Sequence, residues 1–406
     1  MGAAPRPVEP RDAVLGVTPR MALEPATVDE AAEAMRALAA DRLAVAFVGG
    51  ATDLDLGAPP TRLDAVLHTR RLDRIREHAP SDQIVAVEAG MTLAELQRRL
   101  APHRQRLAID PPLPERATVG GIVAANAFGP RRTRYGPIRD LVIGITVVRA
   151  DGVIARGGGK VVKNVAGFDL PRLFCGSLGT LGLVAEVVFR LHPLPEASAT
   201  AVFEGLAGSD VQETIPVLRE LAVEPTAVAA LAAGGRFTLA VRFEGFAPGV
   251  SAQVERTLAR AGGGDRLEGV EEAALWARHD ALRAGGNVRA KATFAPAALV
   301  RVLDALAPLR GALPGEGFVV HPTLGIALLA GNLGVPAVVA RAVASARAAL
   351  RPLGNGSLVL SAAPAELRAL VDVWGPEPGG IDVMRRLKRE LDPEARLAPG
   401  RFVGGI

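Results

Sequence analysis

A single cysteine, Cys175, stands in a chain of 406 residues, so no disulfide can close within it. That fits a reducing compartment. An ordinary iron–sulfur cluster needs several thiolates, so this chain cannot hold one by itself. Aromatic residues make up only 4% of the sequence, which leaves few stacking platforms for single-stranded nucleic acid. Neither charge dominates: 47 Lys and Arg against 43 Asp and Glu give a net +4, too small an excess to call for a nucleic-acid partner. The N-terminus is proline-rich and carries Arg6, Glu9, Arg11 and Asp12, which is not the pattern of a secretory signal. The longest uncharged run, 317–340, contains His321, Asn332, prolines and several glycines. It reads as strand, loop and helix start rather than as a membrane span. A soluble, cytoplasmic protein is expected.

The common catalytic fingerprints are missing as well. Gly159-Lys160 suggests a phosphate loop, but Ile154 occupies the first glycine position and Val161 follows the lysine. The dinucleotide pattern Gly-x-Gly-x-x-Gly occurs nowhere in the chain. Ser177 has Cys175 two residues before it, so there is no nucleophile elbow. The six histidines, at 68, 78, 103, 192, 279 and 321, are scattered, and each alone reads more readily as structural or exposed than as catalytic.

What is present is a mixed helix and strand pattern with unusual glycine loops. Residues 1–20 look loose. Thr27-Val28-Asp29-Glu30 is a capping box that opens a helix through about Ala40, and 43–48 reads as a buried strand ending in Gly49-Gly50. Ile84 to Glu88 is a strand, Thr92-Leu93-Ala94-Glu95 a second capping box, and Asp151-Gly152 a hairpin turn between 141–150 and 153–155. A strand over 183–191 ends at Pro193 and Pro195. From about 200 to 363 the pattern runs in two rounds. The first is strand 201–206, helix 211–222, strands 226–232 and 236–244, and helix 249–261. The second is strand 288–294, helix 296–308, strands within 317–330, helix 335–350 and strand 357–362. This predicts a ferredoxin-like cap. A last helix, with Ile381, Met384, Leu387 and Leu391 on one side, ends at Asp392-Pro393.

Three glycine-rich stretches sit in the first half. Phe47-Val48-Gly49-Gly50-Ala51-Thr52-Asp53-Leu54 follows a strand, where glycine lets successive N–H groups point at one anion, or simply makes a turn. Ala117-Thr118-Val119-Gly120-Gly121 continues to Asn126 and to 129–136, where small residues let a flat ring approach the backbone. The arginines there could neutralise phosphate or an anionic flavin, or form a solvated basic loop. Gly157-Gly158-Gly159-Lys160 is followed by Gly176-Ser177-Leu178-Gly179-Thr180-Leu181-Gly182. An extended dinucleotide laid between two lobes explains these loops better than a doubly wound nucleotide fold.

Five motifs carry a resemblance: Ala-Thr-Val-Gly-Gly (117–121), Gly-Pro-Arg-Arg-Thr-Arg-Tyr-Gly (129–136), Arg139 to Gly144, the 158–170 run and Gly-Ser-Leu-Gly-Thr-Leu-Gly (176–182). The tail Leu-Ala-Pro-Gly-Arg-Phe-Val-Gly-Gly-Ile (397–406) agrees with them. Together they resemble the vanillyl-alcohol oxidase / p-cresol methylhydroxylase (PCMH) superfamily, and within it the FAD-binding (E) subunits of glycolate oxidases. The resemblance is strong over 110–190 and 381–406 and weak over 200–360.

It implies an α+β fold: a two-lobed PCMH-type FAD-binding domain (21–195), a ferredoxin-like cap (196–363) and a C-terminal segment (364–406) returning to the FAD domain. It places Gly49, Gly50, Ala51 and Thr52 at the pyrophosphate, Thr118, Gly120, Gly121 and Asn126 along the flavin, and Gly179, Thr180 and Gly182 as the closing loop. Asp53, Pro112, Gly129, Arg132, Tyr135, Gly136, Lys163 and Asn164 complete the candidate cofactor set. No His or Cys stands where covalently flavinylated relatives link the ring, so FAD is expected to be non-covalent.

Catalytic 2-hydroxyacid dehydrogenases of the family carry metal-binding histidines where this chain has Leu328, in the segment that begins at His321, and Pro378. No metal and no catalytic residue is therefore assigned. The implied partners are a sister FAD-containing catalytic subunit, an iron–sulfur subunit and, through the complex, glycolate. Peripheral association with the inner face of the membrane is compatible with this reading. The alternatives are a self-sufficient dehydrogenase, with Lys163, Arg132, Tyr135 and Asp169 as candidates, and an assembly subunit without turnover.

Overall fold

The computed structural model describes residues 5–160, 167–353 and 356–406. The candidates Lys163 and Asn164 lie outside the described residues. The chain divides into two compact units. The first is Met1–Gly129 with Gly136–Leu194 and Pro376–Ile406, and the second is Pro130–Tyr135 with Pro195–Gly375.

The first unit contains two sheets of different kinds. Strands β1 (Met21–Leu23), β2 (Val45–Val48) and β3 (Ala65–His68) form a parallel sheet in the order β1-β3-β2. The helix Val28–Ala40 joins β1 to β2, as a parallel crossover requires. Its N-cap is the expected one, with the Thr27 hydroxyl accepting from the Glu30 amide at 3.1 Å and the Glu30 carboxylate accepting from the Ala26 amide. Downstream come β4 (Ile75–Ala79), β5 (Ile84–Glu88), β6 (Gln105–Arg106), β7 (Val142–Val148), β8 (Ile154–Gly158), β9 (Leu183–Arg190) and β10 (His192–Pro193). Five of these make an antiparallel sheet, β4-β5-β9-β7-β8, while β6 and β10 pair separately. Leu93, Leu96 and Leu100 of the helix Leu93–Leu100 join the core under this sheet.

Residues 5–20, expected to be loose, are tied down. The Arg6 guanidinium donates to both oxygens of Asp12 at 2.9 and 2.8 Å and to Glu24 at 2.9 Å. Asp12, fully buried, also accepts from the Glu9 amide and lies 2.7 Å from His68 Nε2 on β3. Arg6 holds the Asp12 carboxyl well below the usual carboxylate range, and burial lowers His68 against the opposing pull of Asp12. Both groups therefore bind fewer protons folded than unfolded. Stability falls as pH drops below the ordinary histidine value of about 6.5 and falls further as Asp12 is forced to protonate. Asp12→Asn leaves Arg6, still paired with Glu24, without its buried partner and is expected to cost about 1–3 kcal/mol in denaturant unfolding at neutral pH, with a shallower acid limb. A loss under about 1 kcal/mol would mean that the contact is dispensable.

The second unit is one eight-stranded sheet built from a repeated pattern. In its first half, β11 (Ala197–Leu206), β12 (Ala227–Ala233), β13 (Arg236–Gly245) and β14 (Asp265–Leu267) lie in the order β14-β11-β13-β12. The helices Gly208–Glu220 and Ala247–Ala261 follow the first and third of these strands. The second half repeats this with β15 (Val288–Thr293), β16 (Gly317–His321), β17 (Ile326–Gly331) and β18 (Ser357–Ala362), ordered β16-β17-β15-β18. Each half has the β-α-β-β-α-β connectivity of a ferredoxin-like fold. The halves join where β12 runs antiparallel to β16, Ala230 opposite Val320. The helix Gly269–Ala284, which the sequence pattern misses along with β14, contributes Leu275 and Trp276 to a cluster with Ala227, Ala229, Leu231 and Val319.

Candidate functional site

A cleft of about 810 Å³, open solvent at its mouth included, lies within the first unit. That falls in the ~300–1,000 Å³ range of small-molecule sites. Three separated stretches supply its glycines: Gly49 and Gly50 after β2, Gly120 and Gly121 in the helix Val119–Ala125, and Gly179 and Gly182 before β9. Ala51, Thr52 and Asp53 line it as well. Nine candidates thus meet in one place.

The glycines are there because backbone approaches backbone. A Cβ on Gly50 would sit 1.8 Å from the Arg116 carbonyl oxygen, and one on Gly49 would sit 2.1 Å from Thr118 Oγ1. A Cβ on Gly120 would meet that of Ala89 at 2.6 Å. Gly179 combines a φ of +75° with Phe47 only 2.9 Å from where its Cβ would be. Ala51 holds a left-handed φ of 57°, and so does Leu178 at 51°. Such conformations cost roughly 1–2 kcal/mol per residue and persist where surrounding structure enforces them.

Thr118 and Thr180 stand behind the cleft wall and are buried. The Thr118 hydroxyl accepts from the Gly50 amide at 3.3 Å and from the Gly121 amide at 3.4 Å, tying the first loop to the second. The Thr180 hydroxyl donates to the Ser177 carbonyl at 2.8 Å. Asn126 ends the helix Val119–Ala125 in a left-handed conformation, φ 51°, and its buried Oδ1 has no hydrogen-bond partner among the described residues. Pro112, Gly129 and Gly136 lie in loops of this unit and do not line the cleft. Gly129 is pressed against Asp110, whose carbonyl oxygen would be 1.9 Å from an added Cβ.

Arg132 and Tyr135 are placed differently. They occupy a short helix, Arg132–Tyr135, that belongs to the second unit. The basic loop is docked there: Arg131 donates to Glu244 at 2.8 Å, Arg134 pairs with Glu224, and the Thr133 and Thr323 hydroxyls are 3.5 Å apart. Arg131 and Arg134 are engaged by carboxylates of their own unit, which changes the reading of this loop as a set of phosphate neutralisers.

Several lining residues have no role assigned from the sequence, although Phe47, Val48, Leu54 and Leu178 stand within its glycine stretches. Phe47, Val48, Leu54, Ala124, Ala125, Leu178, Leu183 and Val184 give the cleft its apolar surface, and Thr69 adds a hydroxyl. Ala398 and Arg401 reach it from the C-terminal tail. Arg401 donates to the Leu54 and Leu56 carbonyls at 3.0 and 2.7 Å. The tail motif was the available signal, although it carries no glycine-loop pattern of its own.

These features suit a cofactor with an anionic diphosphate and a flat apolar ring. Backbone without Cβ atoms admits the phosphates, aliphatic and aromatic carbon faces the ring, and Arg401 adds a cation. Among the described residues, no His or Cys lines the cleft. Burial pushes the Cys175 thiol up to about 12, so it carries no thiolate at neutral pH.

In the second unit, His321 at the end of β16 is fully buried, with Nε2 2.9 Å from His279 Nε2. The two rings are 18° from parallel with centroids 5.2 Å apart, and His279 Nδ1 lies 3.0 Å from Asp280 Oδ1. Burial, with His279, Arg283 and Arg132 nearby, holds His321 well below its ordinary value. Leu328 lies opposite Val319 and Lys291 on the neighbouring strands. Among the described residues no group of three or more His, Cys, Asp or Glu could hold a metal ion, and no helix is long and apolar enough to cross a membrane.

Residues 19–158 match the FAD binding domain family, and FAD is the cofactor. Glycolate oxidase subunit GlcD of Bacillus subtilis is 34% identical over 217 residues, 51% of this chain and 46% of that protein. Glycolate oxidase subunit GlcE of Escherichia coli is 33% identical over 192 residues, 47% of this chain and 53% of that protein. The chain spans about half the length of these relatives. The solved structure of p-cresol methylhydroxylase with substrate bound superposes with a TM-score of 0.71 at 17% identity, covering 95% of this chain and 88% of that one. The fold is therefore the α+β fold of PCMH-type FAD-binding proteins.

Proposed function

We propose that this chain, with its FAD binding domain at residues 19–158, is the FAD-binding subunit of a glycolate dehydrogenase complex. More broadly, it serves as an FAD-dependent oxidoreductase acting on hydroxy acids. The observation that carries the reading is the convergence of three glycine stretches on one cleft. In it, Gly49, Gly50, Ala51 and Thr52 take the pyrophosphate, Gly120 and Gly121 let the ring approach the backbone, and Gly179 and Gly182 close the site. Thr118 and Thr180 hold these loops from behind. The flavin is held without a covalent link, in keeping with a lining that has no His or Cys.

When bound, FAD supplies an acceptor that takes electrons in pairs and releases them singly. That suits a chain in the middle of an electron path. A sister flavin subunit oxidises glycolate to glyoxylate, and an iron–sulfur subunit carries electrons onward. The lone cysteine agrees with clusters residing elsewhere. The first unit is read as the FAD domain with its returning C-terminal segment, and the second as the cap.

The test is purification of the tagged chain from its own host under mild conditions. A second flavin polypeptide and a cysteine-rich iron–sulfur polypeptide are expected in the same peak, with glycolate-dependent dye reduction. A chain that elutes alone, with activity in other fractions, would overturn the subunit reading.

A further inference from the structure

Lys388 is an unusual residue to find buried. It sits on the helix Ile381–Leu391, is 7% exposed, and spends all three ammonium protons on protein acceptors. Nζ donates to the Thr180 carbonyl at 2.8 Å and to the Leu397 carbonyl at 2.8 Å, and pairs with Asp392 Oδ2 at 2.8 Å. Asp392 is buried too, and its oxygens accept from the Leu397 amide at 2.7 Å and the Arg396 amide at 3.0 Å. The two carbonyl contacts of Lys388 reach segments that build the cleft. Thr180 lies beside Gly179, a cleft residue, and Leu397 precedes Ala398, another.

The tail continues the same lacing. Val45 on β2 donates to the Arg396 carbonyl at 2.8 Å, and Ala398 donates back to the Val45 carbonyl at 2.8 Å. The Ala58 amide donates to the Arg401 carbonyl at 3.0 Å, while Arg401 holds the Leu54 and Leu56 carbonyls. Residues 46–54 of the cleft thus rest on 396–401, and 396–401 rests on Lys388. A single ammonium fixes the distance between the 176–182 loop and the tail, which are two walls of one cleft.

We propose that Lys388 is a positioning residue of the cofactor cleft, through which FAD occupancy and docking of the C-terminal tail are energetically coupled. The proposal rests on FAD occupying this cleft. Coupling is reciprocal: if the docked tail strengthens FAD binding, FAD strengthens docking of the tail by the same factor. Lys388 is not among the residues that line the cleft. It acts through the Thr180 and Leu397 carbonyls.

Hydrogen–deuterium exchange of the full-length protein, with and without FAD, reads the coupling directly. FAD is expected to slow exchange at 396–401 as well as at 49–53 and 178–182. Lys388→Met keeps the stem, removes the charge, and should weaken FAD binding roughly 5–150-fold. In that variant FAD protects 49–53 but no longer 396–401, whereas a merely structural defect would lower both together and also disturb exchange in 195–375. If Lys388→Met does not fold, the unmutated protein still decides. FAD bound with no change at 396–401 would overturn the proposal alone. An unmutated chain that takes up no FAD would remove the functional reading and the proposal with it.

Discussion

Gly50→Val is expected to yield a chain that folds but purifies without flavin. The cause is a close approach of two backbone segments. A Cβ at this position would fall 1.8 Å from the Arg116 carbonyl oxygen and 2.7 Å from its carbon. Neither atom is the end of a flexible side chain, so the 49–52 loop must move as a whole. That movement breaks the Gly50 amide contact to Thr118 Oγ1, which also anchors the Gly121 amide. Forcing extra carbon into a packed site costs about 1–3 kcal/mol. Here the loss falls on the loops meant to take the pyrophosphate, so FAD affinity should drop by at least roughly 100-fold, about 2.7 kcal/mol. Gly16→Val is a fair control for the effect of a branched residue, since nothing lies within 4 Å of the Cβ that would be added there, although its φ of +85° also strains. FAD retained at unmutated affinity in Gly50→Val would reduce 47–54 to a simple turn.

Glycolate or D-lactate, mixed anaerobically with the FAD-loaded chain alone, is expected to leave the flavin band unbleached for minutes. The sister flavin subunit should be needed for reduction. The side chains at two departures and one buried histidine explain why. Leu328 stands where the family resemblance implies a second histidine, and it lies between Val319 and Lys291 on the neighbouring strands. His321 is retained but buried, edge to edge with His279 and held well below its ordinary value. An imidazole so depressed is a poor base near neutral pH. Pro378, at the other departure, has no side-chain group that could bind a metal or take a proton. Loss of a general base typically costs ~10²–10⁴-fold in rate, and loss of metal-assisted binding adds to that. Rapid bleaching by the lone chain, insensitive to chelators, would instead favour a self-sufficient dehydrogenase in which Arg283, Arg289 or Lys291 anchors the substrate.

Local signals in the sequence were legible where short-range chemistry decides. The capping boxes at Thr27 and Thr92 start helices at Val28 and Leu93, and Ile84–Glu88 is a strand over the expected residues. The two rounds were visible, short of the three-residue β14, because their other strands and helices are longer. The helix Gly269–Ala284 was not. Its buried stripe is Glu272, Leu275, Trp276, His279 and Arg283, helically spaced but more than half polar. Glu272 is satisfied there by Ser198, Thr200 and Arg242, partners that only the fold brings near. The last helix was read in part: Ile381 of its apolar side is buried. Its apolar spacing also pointed to Leu387, which is 36% exposed, while the adjacent Lys388 is buried.

The candidate site divides along the same line. Glycine spacing marked Gly49, Gly50, Gly120, Gly121, Gly179 and Gly182 as loops with a purpose. The reason for each glycine, a carbonyl, hydroxyl, methyl or ring carbon under 3 Å from where a Cβ would sit, is a tertiary fact for all but Gly121 and Gly182. Arg401 meets Leu54 across 347 residues of sequence, which no spacing rule reaches. Arg132 and Tyr135 lie between Gly129 and Gly136 in sequence, yet they pack with the other unit. Nearness along the chain does not decide which unit a residue packs with.

The central claim is that one FAD sits in the cleft of the first unit without a covalent bond. Acid precipitation of the purified chain, followed by a visible spectrum and chromatographic identification of the released flavin, tests it most directly. The account predicts about one equivalent of FAD per chain in the supernatant and a colourless pellet. Yellow colour retained in the pellet would contradict the non-covalent attachment, and a colourless chain that takes up no added FAD would contradict the claim itself.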